Sequence, residues 1–300
     1  QGAELDFTLA LQARAQAAPR AQARSDAERL ARELHALHLQ SASASGRWSA
    51  GLLRLHALDV RSADARLSGS GELRPGKDAP GGSAQLAFAA PGIAATLKGE
   101  LQPARGAGTL DVQLRDAAKA LAWAQKLPGA GAALAGAQAR GSATLQGSWR
   151  GGWQDPAVQV AAKAPALSWQ AGGNAAGGTQ GTEGAAPAEP LQLSDLALTL
   201  NGRLASAQLT LSGQARQGER RAEWRLAASG GRTTPHAALT QSGWRANLTE
   251  LSARLQDPAL GAGPWQLASQ TAVPLSWRPA AGAQRSGQLE AGAGELTLTS

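Results

Sequence analysis

The residues that come nearest to a chemical motif are Gly71, Gly76 and Lys77. Gly71-x4-Gly76-Lys77 almost spells a phosphate-binding loop. The next residue is Asp78, where a Ser or Thr hydroxyl should hold the metal. Ala79-Pro80-Gly81-Gly82 follows and cannot open the helix whose N-terminus would cradle phosphate. The spacing therefore reads as a hairpin turn. His35 and His38 lie three apart with Glu33 beside them, but no third metal ligand stands at useful spacing, so a surface pair is expected. There is no Gly-x-Ser-x-Gly elbow and no Ser-x-x-Lys pair. The carboxylates of Asp6, Asp59, Asp64, Asp111, Asp195 and Asp257 are scattered, mostly on polar strand faces. With no cysteine there is neither a thiolate nor a disulfide framework. The residues thus assemble no catalytic constellation, and the chain reads as a non-enzyme that needs no cofactor.

What could position chemistry here is alternation. A period of two places one apolar face on a strand. Ala65, Leu67, Gly69, Gly71 and Leu73 oppose Arg66, Ser68, Ser70 and Glu72. Ile93, Ala95, Leu97, Gly99 and Leu101 oppose Ala94, Thr96, Lys98 and Glu100. Leu110, Val112 and Leu114 alternate with Asp111, Gln113 and Arg115; Ala143, Leu145, Gly147 and Trp149 with Thr144, Gln146 and Ser148. Ala207, Leu209, Leu211 and Gly213 do the same, as do Ala222, Trp224 and Leu226. Two runs change phase. Leu191 and Leu193 give way to Leu196, Leu198 and Leu200 across Ser194-Asp195, and Leu53 and Leu55 give way to Leu58 and Val60. Such a slip is what a β-bulge or a turn produces. About 15 to 20 strands fit between the Gly, Pro, Asn and Asp breaks. A phrase of apolar-polar-Leu-polar-Gly-polar recurs at irregular spacing, so no strict solenoid is expected, and its glycine reads as a bend or bulge.

Two segments depart from this period. Residues 25–38 begin with Ser25-Asp26 and put Leu30, Leu34 and Leu37 at helical spacing; residues 116–127 begin at Asp116 and carry Ala117, Leu121 and Ala124. Both predict short helices. Residues 172–190 are Gly-, Ala-, Thr- and Pro-rich and read as a flexible loop dividing a 1–171 segment from a 191–300 segment. Methionine is absent, even at position 1, which suggests a piece of a longer chain. The net charge of +7 makes nucleic acid the first partner to weigh. The 24 arginines and five lysines are spread singly, however, so solvated strand faces are the better reading and no nucleic-acid partner is expected. The nine tryptophans read either as core plugs or as an apolar surface that meets lipid or a partner.

The run from Leu127-Pro128-Gly129 through Ala139-Arg140-Gly141-Ser142-Ala143-Thr144-Leu145-Gln146-Gly147-Ser148-Trp149-Arg150-Gly151-Gly152-Trp153 resembles the TamB family. These are large inner-membrane-anchored periplasmic proteins of Gram-negative bacteria, related more distantly to AsmA-like and bridge-like lipid transfer proteins. Ser242-Gly243-Trp244-Arg245-Ala246-Asn247-Leu248 and Gly294-Glu295-Leu296-Thr297-Leu298 read similarly. The resemblance implies an all-β fold: an elongated, curved antiparallel β-groove, U-shaped in section, with an apolar inside. It implies a periplasmic segment that conducts phospholipid between the inner and outer membranes. The anchor, the membrane contact and an outer-membrane partner of the Omp85 class would belong to the parent protein. The acyl chains would meet Leu67, Leu73, Ile93, Leu97, Leu101, Leu110, Val112, Leu114, Leu145, Trp149, Leu198, Leu200, Leu209, Leu211, Trp224 and Leu226. A scaffold that offers strand edges to outer-membrane proteins or autotransporters is the alternative, and a closed adhesin-type solenoid a third. Alternation alone leaves open whether the apolar face is a channel or a filled core.

Overall fold

The structure, a computed structural model, describes residues 4–12, 39–75, 80–127, 130–172, 189–234, 242–261, 263–280 and 287–299. The alternating runs form strands β1 (Glu4–Gln12), β2 (Leu39–Ser49), β3 (Leu52–Ser62), β4 (Arg66–Arg74), β5 (Gly81–Ala90), β6 (Ile93–Leu101), β7 (Gly106–Leu114), β8 (Gln138–Arg150) and β9 (Ala157–Gln170). They continue as β10 (Leu191–Arg203), β11 (Ser206–Gln217), β12 (Arg220–Arg232), β13 (Trp244–Gln256), β14 (Trp265–Ser269), β15 (Val273–Arg278), β16 (Gln288–Ala291) and β17 (Leu296–Thr299). The fold is all-β, an open antiparallel sheet of 17 strands, as the alternation predicts. Short connections cannot carry a crossover, so consecutive strands must pair antiparallel. Successive strands from β1 to β5 do so, as do those from β10 to β13. Thereafter β14 and β15 pair with opposite halves of β13, β16 adds to β15, and β17 adds to β14.

The chain divides into two compact units. The first takes Gln1–Glu100, Leu110–Gly141 and Trp169–Ala188, and the second Leu101–Thr109, Ser142–Ser168 and Glu189–Ser300. The border cuts across β7, β8 and β9 and takes the last residue of β6. One predicted helix is present, α1 (Ala117–Ala124), with Asp116 as N-cap accepting from the Lys119 amide at 3.1 Å. The helix expected over 25–38, its two histidines, the Gly76-Lys77 turn and nearly all of the 172–190 loop lie outside the described residues.

Both predicted phase slips are bulges. In β3 the register steps from Leu55 opposite Gly71 to Leu58 opposite Gly69. In β10 it steps from Leu193 opposite Ala215 to Leu198 opposite Leu211, and Asp195 sits at φ 53°. The extra residue keeps leucines of both phases on one face. A third bulge, at Thr249 in β13, separates Leu248 opposite Ala228 from Leu251 opposite Leu226. Two of the strand glycines make room for their neighbours. A Cβ on Gly69 would come within 2.7 Å of Leu86 Cδ2, and one on Gly213 within 2.9 Å of Trp224 Cζ2. Neither is the extra residue of a bulge; each clears space for a large neighbour to lie across the strand.

Candidate functional site

Residues opposite one another in register share a face of the sheet. In the first unit this gives four apolar rows across β1 to β5. One runs Leu11, Ala42, Val60, Leu67, Phe88, and the next Leu9, Ala44, Leu58, Gly69, Leu86. Phe7, Gly46, Leu55, Gly71 and Ala84 follow, then Leu5, Trp48, Leu53, Leu73 and Gly82. In the second unit one row runs Leu198, Leu211, Leu226, Leu251, and another Leu200, Leu209, Ala228, Leu248, Val273. A third takes Gly213, Trp224, Ala253, Leu267 and Leu298. Within each unit the rows are continuous because the bulges correct their phase.

Burial decides what these rows are. In a two-layer sandwich the inward leucines of such rows would be fully buried by the facing sheet. Here the buried apolar residues among those described are Ala117, Ala137, Ala164 and Val273. Leu67, Ile93, Leu97, Leu110, Val112, Leu114, Leu145, Trp149, Leu198, Leu200, Leu209, Leu211, Trp224 and Leu226 are all half-buried. Leu73 and Leu101 are exposed, at 51% and 38%. Among the described residues the apolar face is therefore lined by its own neighbours and is not fully buried by a second layer. One local cover exists in the first unit. Trp123 of α1 packs on Phe88 with ring centroids 5.7 Å apart, and Lys126 Nζ reaches Asp64 Oδ2 at 3.2 Å in the β3–β4 turn. The Gln125 amide donates to the Leu134 and Ala137 carbonyls at 2.9 and 3.0 Å, fixing the segment after the helix.

The opposite face carries the charge. Arg47 Nε donates to Asp6 at 2.7 Å directly across the β1–β2 pair, and Arg54 Nε to Glu72 at 2.6 Å across β3–β4. Asp59 accepts from Arg66 Nε at 2.8 Å and from Arg61 Nε at 2.9 Å. The guanidinium of Arg66, followed by that of Arg61, holds its carboxyl down to about 2. Burial pushes the Asp155 carboxyl up. Its bonds from Arg203 Nε at 2.7 Å and the Ala205 amide at 3.0 Å outweigh that and leave it below the usual value. These groups neutralise one another across strands, and none faces a proton donor or nucleophile in the way a catalytic pair must.

The arrangement can solvate apolar matter along one face. Among the described residues no group of three potential metal ligands comes together, and no helix is long and apolar enough to cross a membrane. Sequence reading missed the contribution of β1, β2 and β5, where Leu9, Ala44 and Leu86 extend the rows. The signal was present as Leu5-x-Phe7-x-Leu9-x-Leu11 and Ala84-x-Leu86-x-Phe88. No family model, no curated protein and no solved structure matches the chain.

Proposed function

We propose that this chain is a segment of a periplasmic bridge that conducts phospholipid between inner and outer membrane, its parent being of the TamB type. The observation that carries this reading is the continuous, half-buried apolar row Leu198–Leu211–Leu226–Leu251 beside its parallel row through Leu209. Moving a two-tailed lipid through water exposes roughly 30 methylenes at about 0.8 kcal/mol each, a barrier on the order of 20 kcal/mol. A continuous apolar face removes most of that and requires no catalytic group. Alanine and glycine between the leucines leave room for acyl chains. The parent protein would supply the membrane anchor and meet the Omp85-class partner.

Native mass spectrometry of the purified chain tests the reading directly. Co-bound phospholipid is expected, and Leu211→Asp and Leu226→Asp, each shown to be folded by circular dichroism, should lose it. Undiminished lipid in folded variants would sink the proposal. A second reading, strand addition to an unfolded outer-membrane protein, draws on β1 and β16, where Leu9 and Leu289 are 62% and 69% exposed. It predicts polypeptide crosslinks from a photoreactive residue at Leu9 and none from one at Leu211.

A further inference from the structure

The apolar face of the first unit is not equally exposed at its two ends. At one end the row Leu5–Trp48–Leu53–Leu73 is open to water, with Leu5, Trp48 and Leu73 exposed at 61%, 37% and 51%. At the other end the row from Ala42 through Val60 and Leu67 to Phe88 is half-buried throughout. The difference coincides with α1. Just before its N-terminus, the Arg115 and Asp116 amides donate to the Gly92 carbonyl in the β5–β6 turn at 2.8 and 3.1 Å. Gly92 has φ 76°, and a Cβ there would come within 2.9 Å of the Ala120 nitrogen, so the helix rests directly on this turn. Just past its C-terminus, Lys126 reaches Asp64 in the β3–β4 turn at 3.2 Å. A helix of 8 residues spans about 12 Å, and the strand spacings from β5 to β3 add to about 10 Å. The helix therefore lies along the row, across the ends of β3, β4 and β5. There Trp123 meets Phe88 with ring centroids 5.7 Å apart.

Resting on the reading just given, we infer that α1 occupies on this row the place of an acyl chain, and that Trp123 sets how much of the first unit's apolar face phospholipid can use. Ala117, Leu121 and Ala124, spaced at i, i+4 and i+7, form the covered side of the helix, while Ala118, Lys119 and Ala122 are exposed. Among the described residues of this unit, the fully buried apolar ones are Ala117 of the helix and Ala137 in the segment that Gln125 ties to it. Full burial thus occurs where α1 and its following segment lie. A lipid tail along the row needs the surface that the indole of Trp123 already holds on Phe88, and the two cannot share it. The row through Leu73 carries no such cover among the described residues. Acyl chains are directed to that end of the face.

The test loads the full chain, in detergent, with a phosphatidylglycerol that carries a photoactivatable diazirine on one acyl chain. After illumination, peptide mass spectrometry reads which residues are labelled. In the wild type, Leu53 and Leu73 should be labelled, and Leu67 and Phe88 about tenfold less. Trp123→Ala should bring the two rows to within about twofold. Trp123→Leu, which keeps an apolar side chain on Phe88, should fall between them. Circular dichroism shows whether each variant keeps its strands. Equal labelling of both rows in the wild type overturns the role of α1. So does a Phe88 row that stays unlabelled in every folded variant. Either result leaves the apolar groove standing, whereas label on neither row overturns the groove itself.

Discussion

Asp59 shows what single residues do on the polar face. It stands opposite Ser68, between two arginines that both donate to it. Its carboxyl is lowered from the usual 3.8 to about 2. A carboxyl whose pKa is lower in the folded state binds fewer protons there than in the unfolded chain. Its contribution is therefore complete above about pH 4 and is lost as the pH falls toward 2. The unfolding midpoint of the wild type should exceed that of Asp59→Asn at pH 6, and the gap should close between pH 4 and pH 2. A gap that persists at pH 2 would mean that packing, and not charge, is what the substitution removes. The effect should be modest and should shrink in high salt, because the pair faces water.

At the scale of the element, the bulges matter more than any strand. Without the extra residue at Ser194-Asp195, Leu191 and Leu193 would point to the polar face. Asp195 adopts φ 53°, a left-handed conformation that costs a branched residue roughly 1–2 kcal/mol and glycine nothing. Asp195→Gly should be neutral or slightly stabilising in urea denaturation, and Asp195→Val destabilising by about 1–2 kcal/mol. Equal stabilities for the two variants would mean that the bulge relaxes into another register. The helix α1 is the other decisive element. Its cap Asp116 was legible in the sequence, but its seat on Phe88 was not, because that contact joins residues 35 positions apart.

For the chain at large the governing fact is that, among the described residues, the leucines of the apolar rows in each unit are half-buried or exposed and not fully buried. Such a face is costly in water, and anything that covers it must add to stability. Phospholipid should therefore raise the melting temperature of the delipidated protein. At a hundredfold excess over Kd the gain is about 2.7 kcal/mol. Differential scanning calorimetry with and without phosphatidylglycerol micelles measures it, with the bare detergent as reference. No shift beyond that of the detergent would remove the energetic basis of the groove. The same measurement on Leu226→Asp should show a smaller shift, since a carboxylate on the row must be desolvated by any chain that passes.

The strands, their apolar faces, two of the bulges and helix α1 followed from local pattern, since period, phase and capping are properties of neighbouring residues. Leu191 to Leu200 carried its bulge in plain view as a slip of phase. The pairing of β15 with β13 and of β17 with β14 did not follow, because those partners are not consecutive in the chain. What the pattern could not decide is whether the face is filled or open. Leucine alternates identically in both cases, and the difference lies in whether another layer arrives to cover it.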